Sequence, residues 1–313
     1  MAITFIKILK AAKNYLTKAD YRFTVNTGLH LYDKMEDWAF LKKKFKISLG
    51  KELDLDNPKT YNEKLQWIKL YDRKPEYTMM ADKYAVRKYI SEKLGDEYLV
   101  PLIGVWDNPD DIDFDKLPDK FVLKCNHNSG LGMCICKDKS KLDIKKVKKS
   151  LKRGLKQNYY LLGREWPYKD IKHKIIAEQY LENDDKSDIQ DYKILCFNGE
   201  PKLIELHKNR FSDHTQDFYD TTWKKIDITQ DCKQSDIVVP APECLNTMLD
   251  FSKLLSKDIP HVRVDWYFVK GRLYFGELTF FDSSGFAHFK PELYDKLLGD
   301  YIDLKNKTYK ERI

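Results

Sequence analysis

Two hairpins in the second half of the chain constrain its fold more than any other sequence feature. Apolar, strand-like segments lie on either side of Asn198–Gly199 within 192–207, and on either side of Lys270–Gly271–Arg272 within 262–278. An Asn-Gly pair favours a tight hairpin turn because both residues adopt positive φ at low cost. These segments therefore predict antiparallel strand pairs.

Helical periodicity fills much of the remaining chain. Thr60–Glu63 has the spacing of a capping box and precedes an amphipathic segment at 64–70. Apolar residues recur at helical intervals again in 82–94 and in the Lys-rich segment 140–156. Helices interspersed with hairpins predict an α+β protein rather than a doubly wound parallel sheet.

Composition excludes several classes of protein. The 313 residues are 42% hydrophobic and 13% aromatic, which excludes a disordered, collagen-like or rod-shaped chain. Fifty-six basic against 49 acidic residues give a net charge of +7, an excess that accommodates an anionic ligand without requiring nucleic acid. We expect no nucleic-acid partner. Oligomeric state is not encoded in any pattern of the sequence.

Cysteine usage and the N-terminus indicate a cytoplasmic protein. No CxxC pair occurs, and the six cysteines are read as reduced thiols: Cys125, Cys134, Cys136, Cys196, Cys232 and Cys244. Residues 1–23 mix apolar and basic side chains without a long apolar core or a cleavage site, which excludes a signal peptide or membrane span. This segment either lies on an anionic membrane surface or packs on its own domain.

A strand bearing Lys124 leads into a loop with Gly130 and Gly132. Small residues allow backbone N–H groups to approach a polyphosphate closely, and a lysine neutralises phosphate oxygens. The loop matches neither the Walker A nor the GxGxxG pattern. An ordinary hairpin turn beside a surface-directed lysine explains the same residues, so both interpretations stay open.

Two carboxylates are expected side by side in the second hairpin. Strand alternation puts Arg263 and Asp265 on one face, and Glu277 and Thr279 on one face of the following strand. Carboxylates in otherwise aromatic strands need a compensating cation, and Mg²⁺ bound to ATP phosphates is one. An ion-pair cluster with Arg263 is the alternative.

Two further segments fit a nucleotide site, although neither segment by itself indicates one. Glu178–Leu181 ends a strand before a polar segment, where backbone groups and a carboxylate are able to hold an adenine. Lys193 lies on the first strand that follows.

The order of these pieces resembles the ATP-grasp superfamily, and the surrounding sequence resembles its TupA-like family over about residues 50–300. The matching motifs are NPKTYNEKLQW at 57–67, ADKY at 81–84, FVLK at 121–124, DYKILCFNG at 191–199, RVD at 263–265 and FGELTF at 275–280. The resemblance implies an ATP-grasp fold, in which two α+β subdomains grip ATP. It predicts an N-terminal helical region (1–75), a lid-side subdomain (76–178) and a C-terminal subdomain with the metal site (179–313).

The resemblance also implies an activity. Members are expected to be cytoplasmic, ATP- and Mg²⁺-dependent ligases of bacterial cell-surface polysaccharide synthesis, such as capsule or cell wall. They would join a small-molecule or glycan acid to an amine through an acyl phosphate, releasing ADP and phosphate. A kinase of sugar or polyol hydroxyls and a non-catalytic nucleotide-binding component of a glycan assembly complex remain alternatives. Peripheral attachment at the inner membrane face would use the basic N-terminal helix.

Site residues follow from the same resemblance. The expected nucleotide-binding residues are Lys83, Lys124, Ser129, Gly130, Gly132, Glu178, Gln179, Leu181, Asp184 and Lys193. The expected catalytic residues are Arg263, Lys193 and Arg210, and the expected metal ligands are Asp265, Glu277 and Thr279.

The chain departs from the superfamily pattern at two places. Thr279 stands where the superfamily usually has Asn, and 281–285 lacks the family's Pro, which makes Asp282 and Ser283 candidate substrate contacts. The role of His127 is open between a phosphate or acid contact and a bond that stabilises the loop. His207 and His214 lie on the far hairpin, where they could face the site, but an ordinary structural role is favoured for both.

Overall fold

The computed structural model describes residues 2–185, 189–209, 213–230 and 232–304. Within these ranges the helices are α1 (Ala2–Thr17), α2 (Ala19–Gly28), α3 (Asp37–Leu49), α4 (Tyr61–Tyr71), α5 (Pro75–Ala81), α6 (Val86–Lys93), α7 (Ile144–Leu155), α8 (Tyr160–Gly163), α9 (Leu245–Leu255) and α10 (Leu293–Asp300). The strands are β1 (Leu102–Trp106), β2 (Phe121–Cys125), β3 (Cys134–Cys136), β4 (Ile175–Gln179), β5 (Asp191–Phe197), β6 (Glu200–Lys208), β7 (Thr215–Tyr219), β8 (Lys225–Ile226), β9 (His261–Val269) and β10 (Arg272–Thr279).

The strands form two antiparallel sheets, and the α+β prediction is confirmed. The smaller sheet has the order β1-β4-β2-β3, and the larger has the order β10-β9-β5-β6-β7-β8. Both predicted hairpins are present, and both turns have positive φ, at Asn198 and Gly199 and at Lys270 and Gly271. Arg272, expected in the second turn, is the first residue of β10.

Local chemistry sets the helix boundaries. The predicted capping box is present at α4, where the Thr60 hydroxyl accepts from the Glu63 N–H and the Glu63 carboxylate accepts from the Thr60 N–H. The predicted helix over 82–94 begins only at Val86. Asp82 leaves the helix because its carboxylate accepts from the Tyr84 N–H and the Asn126 amide, both at 2.8 Å.

The larger sheet has one apolar face and one polar face. Helix α9 covers the apolar face, where Ile194 and Val264 are fully buried and Trp266 Nε1 donates to Ser252 Oγ at 2.9 Å. Because side chains alternate along a strand, the intervening residues share the opposite face. Cross-strand pairing aligns Lys193 with both Glu205 and Asp265 there.

The N-terminal region is helical as expected. Phe23, Phe40, Leu41 and Phe45 form a separate buried cluster of α2 and α3, whereas Leu9 and Leu16 of α1 are exposed. Among the described helices, none is long and apolar enough to cross a bilayer. The division into regions 1–75, 76–178 and 179–313 remains a prediction.

His261, at the start of β9, ties the polar face to α4. Its Nδ1 donates to the Phe280 carbonyl at 2.9 Å, and its Nε2 accepts from the Tyr61 hydroxyl at 3.0 Å. These bonds suit a neutral imidazole, and burial lowers the pKa of His261 from 6.5 to about 4.

This histidine makes stability depend on pH. Because its folded pKa lies below the unfolded value, its stabilisation is complete above pH 6.5 and is lost as the pH falls towards 4, a difference of about 3 kcal/mol. We therefore expect the gap in unfolding free energy between wild type and His261→Gln to shrink by about that amount from pH 7 to pH 4. Urea unfolding measures it, with the exposed His288→Gln as control; a pH-independent gap contradicts the prediction.

Candidate active site

Arg263 is the centre of the polar face. Its Nε and Nη2 donate to both oxygens of Asp265 at 2.7 and 2.8 Å, and its Nη1 donates to Asp282 at 2.6 Å. Nη2 also lies 3.3 Å from Glu277 Oε1 and 3.2 Å from Thr279 Oγ1. Burial alone would lower the pKa of Arg263, but Asp265 and Asp282 outweigh it and raise that pKa well above its ordinary value.

Two lysines complete this charge arrangement. Lys193 on β5 lies 3.2 Å from Asp265 and 3.9 Å from Asp191. Lys83, which precedes α6, lies 3.2 Å from Glu277. Burial would raise the pKa of Glu277, but Lys83, Arg263 and Lys193 overcome it and hold that pKa well below its ordinary range. Glu277 is therefore ionised at neutral pH.

The three predicted metal ligands converge on one point. Asp265, Glu277 and Thr279 all have a side-chain oxygen within 3.3 Å of the same guanidinium nitrogen. Two carboxylates and a hydroxyl suit Mg²⁺, which protein sites usually hold with one or two carboxylates plus substrate phosphates. In the described residues, no group of three or more His, Cys, Asp or Glu side chains is arranged to hold a metal ion. The alternative expectation, an ion-pair cluster with Arg263, describes the contacts that these side chains make, and Mg²⁺ at the same oxygens stays a prediction.

Further cations lie on the smaller sheet and on or just before α6. Lys124 on β2 lies 2.6 Å from Glu178 on β4, and Arg87 of α6 lies 3.4 Å from the other oxygen of that carboxylate. Lys83 Nζ donates to the Asn128 carbonyl at 3.0 Å while it pairs with Glu277. Lys83 thus connects the loop after β2 with the polar face of the larger sheet.

The glycine-bearing loop after β2 packs against α7. A Cβ at Gly132 would lie 3.1 Å from the Gly154 backbone, so the close approach requires glycine there. His127 is buried, stacks on His173 at 3.5 Å and contacts the Gln157 carbonyl at 3.1 Å. Burial, aided by His173, lowers the pKa of His127 to about 4. His127 stabilises the loop, while Ser129 and Gly130 are exposed above it.

The predicted adenine hinge lies where the two sheets meet. The Gln179 N–H donates to the Pro101 carbonyl, and the Gln179 side chain is exposed. Leu181 packs against a small apolar cluster of Val100, Val269 and Tyr274.

One predicted site residue, Asp184, lies away from the charge cluster, and a second, Arg210, is not among the described residues. Asp184 is exposed and pairs with Lys270 of the β9–β10 turn at 2.6 Å.

Sequence reasoning missed a buried polar group beside the site. Lys69 of α4 is fully buried and donates to the Gly163 carbonyl, the Ser284 carbonyl and the Ser284 hydroxyl. Ser283 and Ser284 have positive φ, an uncommon backbone conformation for serine that Lys69 helps to fix. Asp282 and Ser283, the candidate substrate contacts, accept from the Gln230 amide at 3.1 and 2.8 Å. The unbroken amphipathic pattern of α4 gave no sign that a lysine points inward.

Lys124 allows a direct test of the nucleotide side. If phosphates replace Glu178 as its partner, Lys124→Ala removes a charge-assisted contact of about 1.5–3 kcal/mol and raises the ATP Kd about 10- to 100-fold. Isothermal titration with ATP measures this change. The exposed Lys141→Ala serves as control, and an unchanged Kd in Lys124→Ala contradicts the assignment.

Known proteins resemble the chain in sequence and fold. The sequence model of the family described as TupA-like ATPgrasp matches residues 63–303. No curated protein sequence matches. A D-alanine–D-alanine ligase from Bacillus anthracis complexed with ATP is 16% identical with a TM-score of 0.41, over 84% of this chain and 82% of that one.

Two other solved structures are similar over shorter stretches. D-Alanine–D-alanine ligase from Helicobacter pylori is 14% identical, with a TM-score of 0.39 over 72% of this chain and 63% of that one. N5-carboxyaminoimidazole ribonucleotide synthetase from Thermus thermophilus is 10% identical, with a TM-score of 0.40 over 70% of this chain and 52% of that one. The family match covers more than half of the sequence and agrees with the ordered motifs. The chain belongs to the TupA-like ATP-grasp family.

Proposed function

We propose that the chain is an ATP-dependent carboxylate–amine ligase that works through an acyl phosphate. The supporting observation is that four cations, one on the smaller sheet, one before α6 and two on the larger sheet, pair with carboxylates of the expected site. Lys83, Lys124, Lys193 and Arg263 all lie among the carboxylates that the family pattern assigns to the site. An anionic acid must approach an anionic triphosphate, and fixed cations offset that repulsion and stabilise the transferring phosphoryl group.

Each residue has a defined task in this proposal. Lys124 and Lys83 hold the phosphates beside the Ser129–Gly132 loop, and Lys193 binds the γ-phosphate. Asp265, Glu277 and Thr279 would hold Mg²⁺, which would supply charge neutralisation at the transferring phosphate. Arg263 orients the acyl group, and its bonds to Asp265 and Asp282 fix the guanidinium in place.

The biological setting is part of the proposal. We place the reaction in the cytoplasm, with a cell-surface polysaccharide or its nucleotide-sugar precursor receiving an amide-linked group. The basic N-terminal helix would bring the enzyme to the inner membrane face. Family membership supports this setting.

Hydroxylamine trapping tests the proposal. The enzyme is incubated with ATP, Mg²⁺, hydroxylamine and a panel of uronic acids, nucleotide sugars and amino acids. We expect ADP, phosphate and a hydroxamate with at least one acid, because hydroxylamine captures an acyl phosphate. A stable phosphorylated sugar without free phosphate would identify a kinase instead. ATP binding without turnover on any member would identify a binding component.

A further inference from the structure

The polar face continues past the predicted site onto β6 and β7. Glu205 is the cross-strand partner of Lys193, and His207 follows it on the same face. Glu205 is 2% exposed, in spite of its charge. His214 and Cys232 add two side chains from outside these strands, and together these residues form a chain of contacts that the proposed ligase reaction does not yet use.

These four side chains contact one another in a row. The Cys232 thiol lies 3.2 Å from His214 Nδ1, His214 Nε2 lies 2.9 Å from His207 Nδ1, and His207 Nε2 lies 3.2 Å from Glu205 Oε2. A neutral imidazole donates with one nitrogen and accepts with the other, and these contacts are satisfied when the Cys232 thiol donates to His214, His214 to His207, and His207 to Glu205. Gln216 Nε2 also donates to Oε2, at 3.3 Å.

Oε1 of Glu205 differs from Oε2 in its hydrogen bonding. Glu205 Oε1 is buried and has no hydrogen-bond partner among the described residues. A buried oxygen without a donor costs free energy, and native sites usually supply the donor as a ligand or a water. Glu205 shares the face that carries Lys193, Asp265 and Arg263, so a ligand bound on that face is one source of the donor that Oε1 lacks.

The charges around Glu205 favour a carboxyl group that exchanges a proton near neutral pH. Burial and the nearby Asp282 raise the pKa of Glu205 to about 8, with Asp265 adding to the rise and with Arg263 and Lys193 opposing it. A base whose pKa lies near the working pH is suited to proton transfer.

We propose that the amine substrate binds with its nitrogen at Glu205 Oε1 and that Glu205 removes its proton. This inference rests on the proposed ligase reaction. The ammonium form gives one proton to the Glu205 carboxylate and becomes a neutral amine. Its lone pair forms the C–N bond with the acyl phosphate, the C–O bond to phosphate breaks, and phosphate leaves with that electron pair. The second proton of the nitrogen goes to the departing phosphate.

His207 and His214 act as positioning residues in this scheme. His207 contacts Oε2 and His214 contacts His207, which leaves Oε1 without a bond to either of them. They touch no reacting atom. Because Glu205 is proposed to take a proton from the nucleophile, the expected ligand is a primary amine or ammonia. It is protonated in solution and binds beside the acyl phosphate.

Two nucleophiles separate this role from a structural one. Hydroxylamine is largely uncharged at neutral pH and attacks without a base, whereas ammonium must lose a proton first. With an acid that wild type converts to its hydroxamate, we compare amide formation from ammonium chloride with hydroxamate formation. We expect Glu205→Gln to lower the amide-to-hydroxamate ratio about 100-fold, within the range for loss of a general base.

Further variants keep the test decisive. His207→Asn should lower the same ratio about tenfold, because it loosens Oε2 without removing the base. Glu205→Asp keeps a carboxylate and should restore part of the amide-to-hydroxamate ratio. It also provides a test if Glu205→Gln does not fold. Glu200→Gln, an exposed residue on the same strand that pairs with Lys253, should leave the ratio unchanged.

The outcomes separate failure of the Glu205 role from failure of the ligase reaction. Equal loss of both products in Glu205→Gln and Glu205→Asp, or an unchanged ratio in both, overturns the role of Glu205 while the ligase reaction stands. Absence of hydroxamate from wild type with every acid of the panel overturns the ligase reaction and this inference with it.

Discussion

Glu277→Gln is expected to slow ATP-dependent phosphate release about 10²- to 10³-fold, an effect typical of lost electrostatic stabilisation in an active site. Glu277 contacts Arg263, Lys83 and the Thr279 hydroxyl, so it connects a cation of the larger sheet with the lysine that bonds to the loop after β2. Gln keeps the shape and one acceptor oxygen but removes the charge that Mg²⁺ requires. The rate is measured as phosphate released with an acid that supports turnover, at saturating ATP and graded Mg²⁺.

Fold and charge are controlled separately in this experiment. Glu92→Gln removes the same charge from an exposed pair with Lys88 on α6, and its rate should equal that of wild type. Circular dichroism should show unchanged secondary structure in both variants. A Glu277→Gln enzyme that turns over at the wild-type rate at every Mg²⁺ concentration would remove Glu277 from the metal site.

Arg263→Met is expected to lower the free energy of unfolding by about 3–5 kcal/mol, the usual cost of removing one partner of a buried ion pair. Asp265 and Asp282 are only 3% exposed and would lose their guanidinium partner. Methionine fills most of the space, so the loss reflects uncompensated charge more than a cavity. Urea unfolding at pH 8 measures the change.

The pH dependence of this loss has a defined sign. In wild type, burial would raise the pKa of Asp282, but Arg263 outweighs it and the pKa is lowered, so the pair stabilises the fold above the unfolded pKa. Without Arg263, burial raises the pKa and the charged form destabilises the fold until acid protonates it. The difference in unfolding free energy between wild type and Arg263→Met should therefore become smaller from pH 8 towards pH 4.

A surface arginine provides the comparison. Arg153→Met on the exposed face of α7 should change stability by less than about 0.5 kcal/mol at every pH. A gap for Arg263→Met that stays constant or widens on acidification would show that buried carboxylate charge is not the cause.

Several features of the fold could be predicted because local chemistry decides them. The two hairpins follow from turn residues that tolerate positive φ, and the start of α4 follows from its capping box. The convergence of Asp265, Glu277 and Arg263 follows from strand alternation. In each case the deciding residues are close in sequence or lie in one hairpin.

Other features depend on contacts between distant residues. Asp82 ends the helical pattern because Asn126, 44 positions later, donates to it. His127 is fixed by its stack on His173 and by α7, which no local pattern reveals. Glu205 and His207 reach the polar face through the pairing of β6 with β5. Alternation along β6 already places both on one face, and that signal would have identified them.

The most direct test of the central claim is an isothermal titration of the wild-type chain with ATP, in Mg²⁺ and in EDTA, beside Glu277→Gln. A nucleotide site built from both sheets predicts one ATP per chain, an affinity at least about tenfold higher with Mg²⁺, and a difference between the two proteins that disappears in EDTA. Absence of ATP binding by wild type, or equal affinities of the two proteins in Mg²⁺, would contradict it.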